Sequence, residues 1–393
     1  MYKQSRLLLA LGSSLLITSS VSNAAATRVA YIDPFATARG NAFTATADNP
    51  SAVFYNAAGL TQLEGTQVQA NVFAISLAYE YDGALGSDDM DDDFQAIPSF
   101  FVSHKFEDSD FAFGFGAYAP FALGSDWGSD ASFALDPRVP YEAELEYVKY
   151  HLVAAWQITD TLSIAFGPSF DKTDLDVKAN ALEFDADGDD IGYSASILWQ
   201  PNQHHSFGLN YQAKTDIEYS GTADLFIPNT GFVPFDADAD LVFPESIVFG
   251  YSYRPNEQWN IEFNIDWTNW DRVDDLTLEG VPGGLAYELN WDSAFIWELG
   301  ATRYFDNGWN VSAGYTYVEN AVPQGDLLPI VPDNDRHFFA VGIGQAIGQF
   351  YWQATYQYAY SDERKIKGNT FGTVNGDYDL DSQAFALSLG YKF

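Results

Sequence analysis

Residues 259–270 read WNIEFNIDWTNW. Trp259, Ile261, Phe263, Ile265 and Trp267 alternate there with Asn260, Glu262, Asn264, Asp266 and Thr268. A period of two puts successive side chains on opposite faces of an extended strand, one face oily and the other polar. The same alternation recurs about fourteen times after residue 65, over roughly 66–81, 96–106, 111–119, 143–157, 162–178, 190–200, 205–221, 245–253, 259–272, 292–305, 308–319, 336–345, 349–361 and 382–393. In strand 308–319, Trp309, Val311, Ala313, Tyr315 and Tyr317 oppose Asn310, Ser312, Gly314 and Thr316. One such strand fits a soluble sandwich, with its apolar face on a core. Fourteen with small and polar residues on the second face do not. An open sheet of this kind would aggregate through its edges, and a bilayer tolerates strands only when every backbone group is paired. The pattern therefore predicts an all-β fold: a transmembrane antiparallel β-barrel of about 14 strands, its apolar face toward lipid.

The connections agree. FEDSD, QITDTL, PNQHH, RPNEQ, FDNG and AIGQ make short turns, and the alternate connections are long. Outer-membrane barrels have short periplasmic turns and long external loops. Tyr and Trp gather at strand ends (Tyr356, Tyr358 and Tyr360 at one, Trp259 and Trp309 at the other), as interfacial girdles require. Aromatic residues make up 17% of the chain, yet its formal charge is −37. Segregation reconciles the two. The acids cluster in SDDMDDDF (87–94), FEDSD (106–110), EFDADGDD (183–190) and FDADAD (235–240), which read as solvated loops. Such acidity disfavours nucleic acid as a partner.

The amino terminus reads as a signal peptide over 1–24. Lys3 and Arg6 precede the apolar LLLALGSSLLI, and SNAAAT offers small residues for cleavage. After Ile17 no apolar run approaches the ~20 residues of a membrane helix. Cysteine is absent, so neither a disulfide nor a thiolate metal site is available, and no cofactor is expected. DADGDD resembles the start of a calcium loop, with Asp185, Asp187 and Asp189 alternating, but the remaining ligands are missing. No metal site is expected. Of the five histidines, His151 is expected in the lumen and His204 and His205 in a turn. None has a sequence-apparent triad partner, so the chain does not read as an enzyme.

Residues 25–64 do not alternate. ATARGNAFTATADNPSAVFYNAAGLTQLEG is rich in Ala, Asn, Gly and Thr, and Phe35, Phe43, Val53, Phe54, Tyr55 and Leu60 give it apolar surface to pack. A barrel of this size has a lumen its own side chains cannot fill. The segment is expected to be a hatch, with the barrel occupying 65–393.

ARGNAFTATADNPSAVFYNAAGL resembles the hatch of the FadL/TodX (OmpP1) family of outer-membrane transporters for long-chain fatty acids and hydrocarbons. FGFGAYAPFALGSDW, LVAAWQITDTLSIAFGPSF, FPESIVFGYSYRPNEQWNIEFNIDWTNW and AVPQGDLLPIVPDNDRHFFAVGIG resemble successive parts of the same family, in order along the chain. The resemblance implies passive uptake of a hydrophobic small molecule: capture at outer loops, passage to an internal apolar pocket, and sideways release into the membrane near the third strand. Asn56, Ala57, Ala58 and Gly59 then correspond to the hatch motif, and Gly114 and Gly116 lie in the strand that would open. The closing LSLGYKF, ending in Phe393, resembles the signal read by the barrel-assembly machinery, and the remaining partners implied are outer-membrane lipids. A general diffusion porin and a surface structural barrel remain the alternatives.

Two departures from the family stand out. The usual Asn-Pro-Ala is here Asn56-Ala57-Ala58; losing proline frees φ and restores a backbone donor, which implies a more mobile hatch. Trp291-Asp292-Ser293 carries an acid where fatty-acid binders often carry a base, which favours a neutral solute over a carboxylate. Lys149 and Lys214, expected on lumen faces, and Arg336 are the other cations available to a carboxylate. Each can instead partner lumen acids such as Glu262, Asp266 and Glu298.

Overall fold

The computed structural model describes residues 26–90 and 94–393. The expected signal peptide, 1–24, lies outside the described residues. The wall is built from β1 (Gly65–Gly83), β2 (Gln95–Lys105), β3 (Phe111–Tyr118), β4 (Ala122–Asp126), β5 (Pro140–Thr159), β6 (Leu162–Ala179), β7 (Leu182–Asn202), β8 (His205–Gln212), β9 (Thr215–Ile227), β10 (Gly231–Phe243), β11 (Ser246–Asn256), β12 (Trp259–Thr268), β13 (Ala294–Tyr304), β14 (Trp309–Val318), β15 (Arg336–Ile347), β16 (Phe350–Ser361) and β17 (Gly376–Lys392). The pairs β3/β4, β8/β9 and β10/β11 are single wall strands interrupted once, so the ring has fourteen strands. It is antiparallel throughout and closes where β17 pairs with β1, from Gln67↔Lys392 to Gly83↔Gly376.

The faces are those of a barrel in lipid. Phe263, Trp297, Leu299, Val341 and Leu387 are exposed on the outside, whereas Asn260, Glu262, Asn264 and Asp266 are buried within. A water-soluble protein would not leave such a band in contact with water. Lipid supplies its solvent.

On one side of the ring the strands continue beyond this band, and there both faces change character. Along β6 the outward positions run Phe166, Phe170, then Lys172, Asp174 and Asp176, while the buried inward ones run Ser169, Asp171, Thr173, then Leu175 and Val177. In β7, Glu183, Asp185 and Asp187 point out and Leu182, Phe184 and Ala186 point in. Period two is preserved while polarity inverts, because outside the hydrocarbon the outer face meets water. The acidic blocks 183–190 and 235–240 are therefore strand, in β7 and β10, and not the loops expected from their charge. Asp185, Asp187 and Asp189 sit on a strand and form no calcium-type loop. FEDSD forms the expected β2–β3 turn.

Candidate functional site

Inside the ring lie residues 26–63, almost all buried. Asp33 caps the short helix α1 (Pro34–Ala38), accepting from the Phe35 amide. Burial pushes the Asp33 carboxyl above its usual range, opposed by hydrogen bonds from Asn49 and Ser51. Gly40, with φ +60°, then reverses the chain against the Tyr315 backbone. The wall is dented to receive the segment. Gly300 and Gly314 face each other across β13 and β14, and a Cβ on Gly314 would fall 2.0 Å from the Gly40 nitrogen. Gly208 and Gly250 form a second pair, and a Cβ on Gly208 would lie 2.2 Å from the Thr44 carbonyl oxygen.

Polar lumen residues complete the seat. Arg28 pairs with Asp266 at 2.7 Å and donates to Thr268, also at 2.7 Å. Arg39 lies 3.6 Å from Glu262 and donates to Asn260 at 2.6 Å, its guanidinium over the rings of Phe35 and Phe43. Asp266 and Glu262 are thus partnered by arginines of the segment itself, whereas Glu298 accepts from Asn264 at 2.8 Å. The sequence signal was available: two arginines in an Ala/Asn/Thr-rich stretch that was expected to be buried.

The third wall strand breaks at Ala119–Pro120–Phe121. β3 pairs with β2 only as far as Phe100↔Ala117, and β4 pairs with β5 alone. Continued past Phe100↔Ala117, this register would set Gln95–Ser99 opposite Tyr118–Ala122, where no ladder forms among the described residues. The amino-terminal segment stitches the edge of this gap. Val29 donates to the Pro120 carbonyl at 2.8 Å, Ala122 donates to the Thr27 carbonyl at 2.9 Å, and Arg28 and Phe121 form an antiparallel bridge. Proline at the break has no donor for a neighbouring strand.

Next to the stitch is a small apolar cavity of about 70 Å³. Leu123, Leu145, Leu175, Val177, Trp270, Trp291 and Ile330 are among its walls, together with Thr27, and no lining residue is charged. The inverted inner faces of β5 and β6 make this cavity, which a uniformly polar lumen could not. External loops close it: Trp127 donates to the Pro329 carbonyl at 2.9 Å, and Tyr287 to that of Arg138 at 2.9 Å. Asp333, in the PDNDR stretch, accepts from the Ala26 amide at 3.1 Å and the Ala321 amide at 2.8 Å and pairs with Arg336 at 2.6 Å. One carboxylate joins the amino-terminal segment to the loop lid.

Among the residues singled out from sequence, Asn56 donates to the carbonyls of Thr44 at 2.8 Å and Ile197 at 3.0 Å, and its side-chain oxygen accepts from Ala58. Ala57, Ala58 and Gly59 begin the 3-10 turn that follows, and a Cβ on Gly59 would lie 2.2 Å from the Ala47 oxygen. Gly114 and Gly116 are in the broken strand but not at its break. Both are paired on each side, and they make room for Val53, Leu60 and Phe101. Lys149 is buried and tied to Asp171 at 3.2 Å. Lys214 is not in the lumen. Inward positions are even-numbered in β8 and odd-numbered in β9, so the irregularity at Ala213–Lys214 turns Lys214 outward, where it pairs with Asp216. Arg336 is buried against Asp333. Asp292 is exposed outside the cavity that Trp291 lines. His151 lies 2.9 Å from both Ser194 Oγ and the Tyr118 hydroxyl, so its second nitrogen faces a phenol and not the carboxylate of a triad.

These features define a class: an outer-membrane β-barrel whose lumen is filled by its own amino-terminal segment. The chain belongs to the family described as outer membrane protein transport protein (OMPP1/FadL/TodX), matched over residues 15–184 and 175–393. That is a family of transport proteins and not of enzymes. The chain is 24% identical over 218 residues to a long-chain fatty acid transport protein of Escherichia coli K12, covering 52% of this chain and 47% of that protein. It spans about half the length of such curated relatives. A putative outer membrane protein of Neisseria meningitidis serogroup B is 21% identical over 439 residues, 90% of this chain and 91% of that protein. Among solved structures, a Pseudomonas aeruginosa FadL homologue superposes with a TM-score of 0.81 at 18% identity, over 94% of this chain and all of that one. The Pseudomonas putida toluene transporter TodX gives 0.73 at 15% identity, over 96% and 100%. The protein resides in the outer membrane.

Proposed function

We propose that this barrel carries uncharged hydrophobic molecules passively across the outer membrane, with residues 25–64 as its hatch and the gap at Ala119–Phe121 as its exit into the bilayer. The observation that carries the reading is the placement of Thr27–Val29 between an apolar cavity and an unpaired stretch of wall. Displacing these few residues opens a path from cavity to lipid without moving the glycine-seated remainder. Gating by the occupant follows, since Thr27 lines the cavity.

Sideways release fits the energetics. Each CH₂ withdrawn from water contributes about 0.8 kcal/mol, so a ten-carbon chain leaving through an aqueous mouth would face roughly 8 kcal/mol. Exit into hydrocarbon avoids this. Charge restricts the substrate class. The cavity has no cation, and Lys149 and Arg336 are held by Asp171 and Asp333. A carboxylate would enter uncompensated, which is strongly unfavourable. This supports neutral hydrophobes over fatty acids as the substrate. The exposed Phe393 at the chain end serves recognition by the assembly machinery, and membrane lipids receive the substrate.

The test is uptake of a labelled neutral hydrophobe into cells with and without the protein, alongside ion conductance of the purified barrel in planar bilayers. The reading expects faster uptake and low conductance. Strong conductance with unaltered uptake would instead establish a diffusion porin.

A further inference from the structure

On the side of the short turns, which faces the periplasm, a cation stands on the lipid-facing wall without a carboxylate. Arg303 is exposed near the end of β13, opposite Trp259 of β12 and Val311 of β14. Its guanidinium lies over the Trp259 ring at 5.5 Å and the Phe305 ring at 5.1 Å, and it makes no ion pair or hydrogen bond among the described residues. Acids outnumber bases 55 to 18 in the chain, so the missing partner does not reflect a shortage of carboxylates. The two rings hold the cation in place and leave its forked N–H donors unspent. Long cationic side chains at a membrane interface reach for headgroups, and a phosphate matches the guanidinium fork.

Farther from the hydrocarbon stand two carboxylates of the turns. Glu257 lies between β11 and β12 and Asp306 between β13 and β14; both are exposed, and neither side chain is paired among the described residues. Counted from the Trp259↔Arg303 register, they are two and three residues beyond Arg303, about 7–10 Å at the rise of a strand. From this order of charge we infer a phospholipid site: Arg303, with Trp259 and Phe305, binds the phosphate of an inner-leaflet lipid, and Glu257 and Asp306 select a phosphoethanolamine headgroup. In that headgroup the phosphate is nearer the tails and the ammonium farther out, the complement of a cation followed by two anions. A phosphoglycerol headgroup would satisfy Arg303 but bring no cation to the carboxylates. The bound lipid fixes the short-turn rim at headgroup level. The site is on the outer wall, away from the cavity and the broken strand, so it stands independently of the uptake reading.

The full-length purified barrel in detergent is equilibrated with equimolar phosphatidylethanolamine and phosphatidylglycerol of identical acyl chains, and the retained lipids are counted by native mass spectrometry. Phosphatidylethanolamine should be retained about fivefold over phosphatidylglycerol, the factor of one interfacial charge contact. Arg303→Gln should lower its retention by about the same factor. Glu257→Gln/Asp306→Asn should bring the two lipids to parity. Glycerophosphoethanolamine, the same headgroup without tails, should not displace the lipid at equal concentration. Heat-modifiable gel migration reports that the variants are folded. The inference is overturned if Arg303→Gln retains as much phosphatidylethanolamine as the parent, if the parent does not prefer it, or if the acid double variant keeps the preference. Displacement by glycerophosphoethanolamine would reassign the site to a soluble phosphodiester and overturn it as well.

Discussion

The Arg28–Asp266 pair offers a sharp test, because it holds the stretch that stitches the wall. Both side chains are buried, at 6% and 3% exposure, and they meet at 2.7 Å. Removing one member of such a pair costs about 3–5 kcal/mol, since the other charge stays buried without its partner. Arg28→Met should therefore raise the population of the detached segment by roughly two to four orders of magnitude, with Thr268 and lumen water keeping the effect toward the lower end. The chain has no cysteine, so Thr27→Cys provides a single reporter. Its labelling by a membrane-impermeant maleimide measures the open population when reclosing outpaces labelling. Asp266→Leu should have a comparable effect. The double variant Arg28→Met/Asp266→Leu should return to within about tenfold of the parent, because no orphaned charge remains. Labelling of Arg28→Met at the parental rate, or a double variant equal to the sum of the singles, would refute the proposed role of this pair.

Gly314→Val should unseat the amino-terminal segment without breaking the wall, because the new side chain meets the backbone of Arg39 and Gly40 and neither can yield. Overpacking of this kind costs about 1–3 kcal/mol, seen as raised ion conductance with unchanged heat-modifiable migration. Asp333→Ala should remove a contact between the loop lid and residue 26 together with the ion pair to Arg336, visible as faster proteolysis of the 320–333 loop in intact cells. Leu175→Asp places a charge on the cavity wall and should abolish hydrophobe binding while the barrel still assembles, since position 175 lies where the outer face already meets water.

Much of the wall was legible because period two survives every change of environment. WNIEFNIDWTNW became β12 with its oily face outward and its acids buried, as expected. Where charge was weighed above period, reading failed: Glu183, Asp185 and Asp187 alternate with Leu182, Phe184 and Ala186, which is a strand signal whatever its polarity. Lys214 was misplaced because a single-residue irregularity reverses the faces, and nothing local in the sequence marks it. Gly114 and Gly116 drew attention as weak points, yet they accommodate Val53 and Leu60; the proline four residues after Gly116 interrupts the strand. Arg28 and Arg39 stood in a stretch expected to be buried, but their partners lie more than 200 residues away, a separation that no local pattern encodes.

The account turns on whether cargo leaves through the wall when Thr27–Val29 detaches. Thr27 and Ala122 are opposite one another at the stitched break, and directly opposed residues of antiparallel strands lie within disulfide reach. Uptake of a labelled neutral hydrophobe by cells carrying Thr27→Cys/Ala122→Cys tests this. It should be blocked when the pair is oxidised and restored on reduction. Uptake at the same rate in both states would contradict lateral release at this gap.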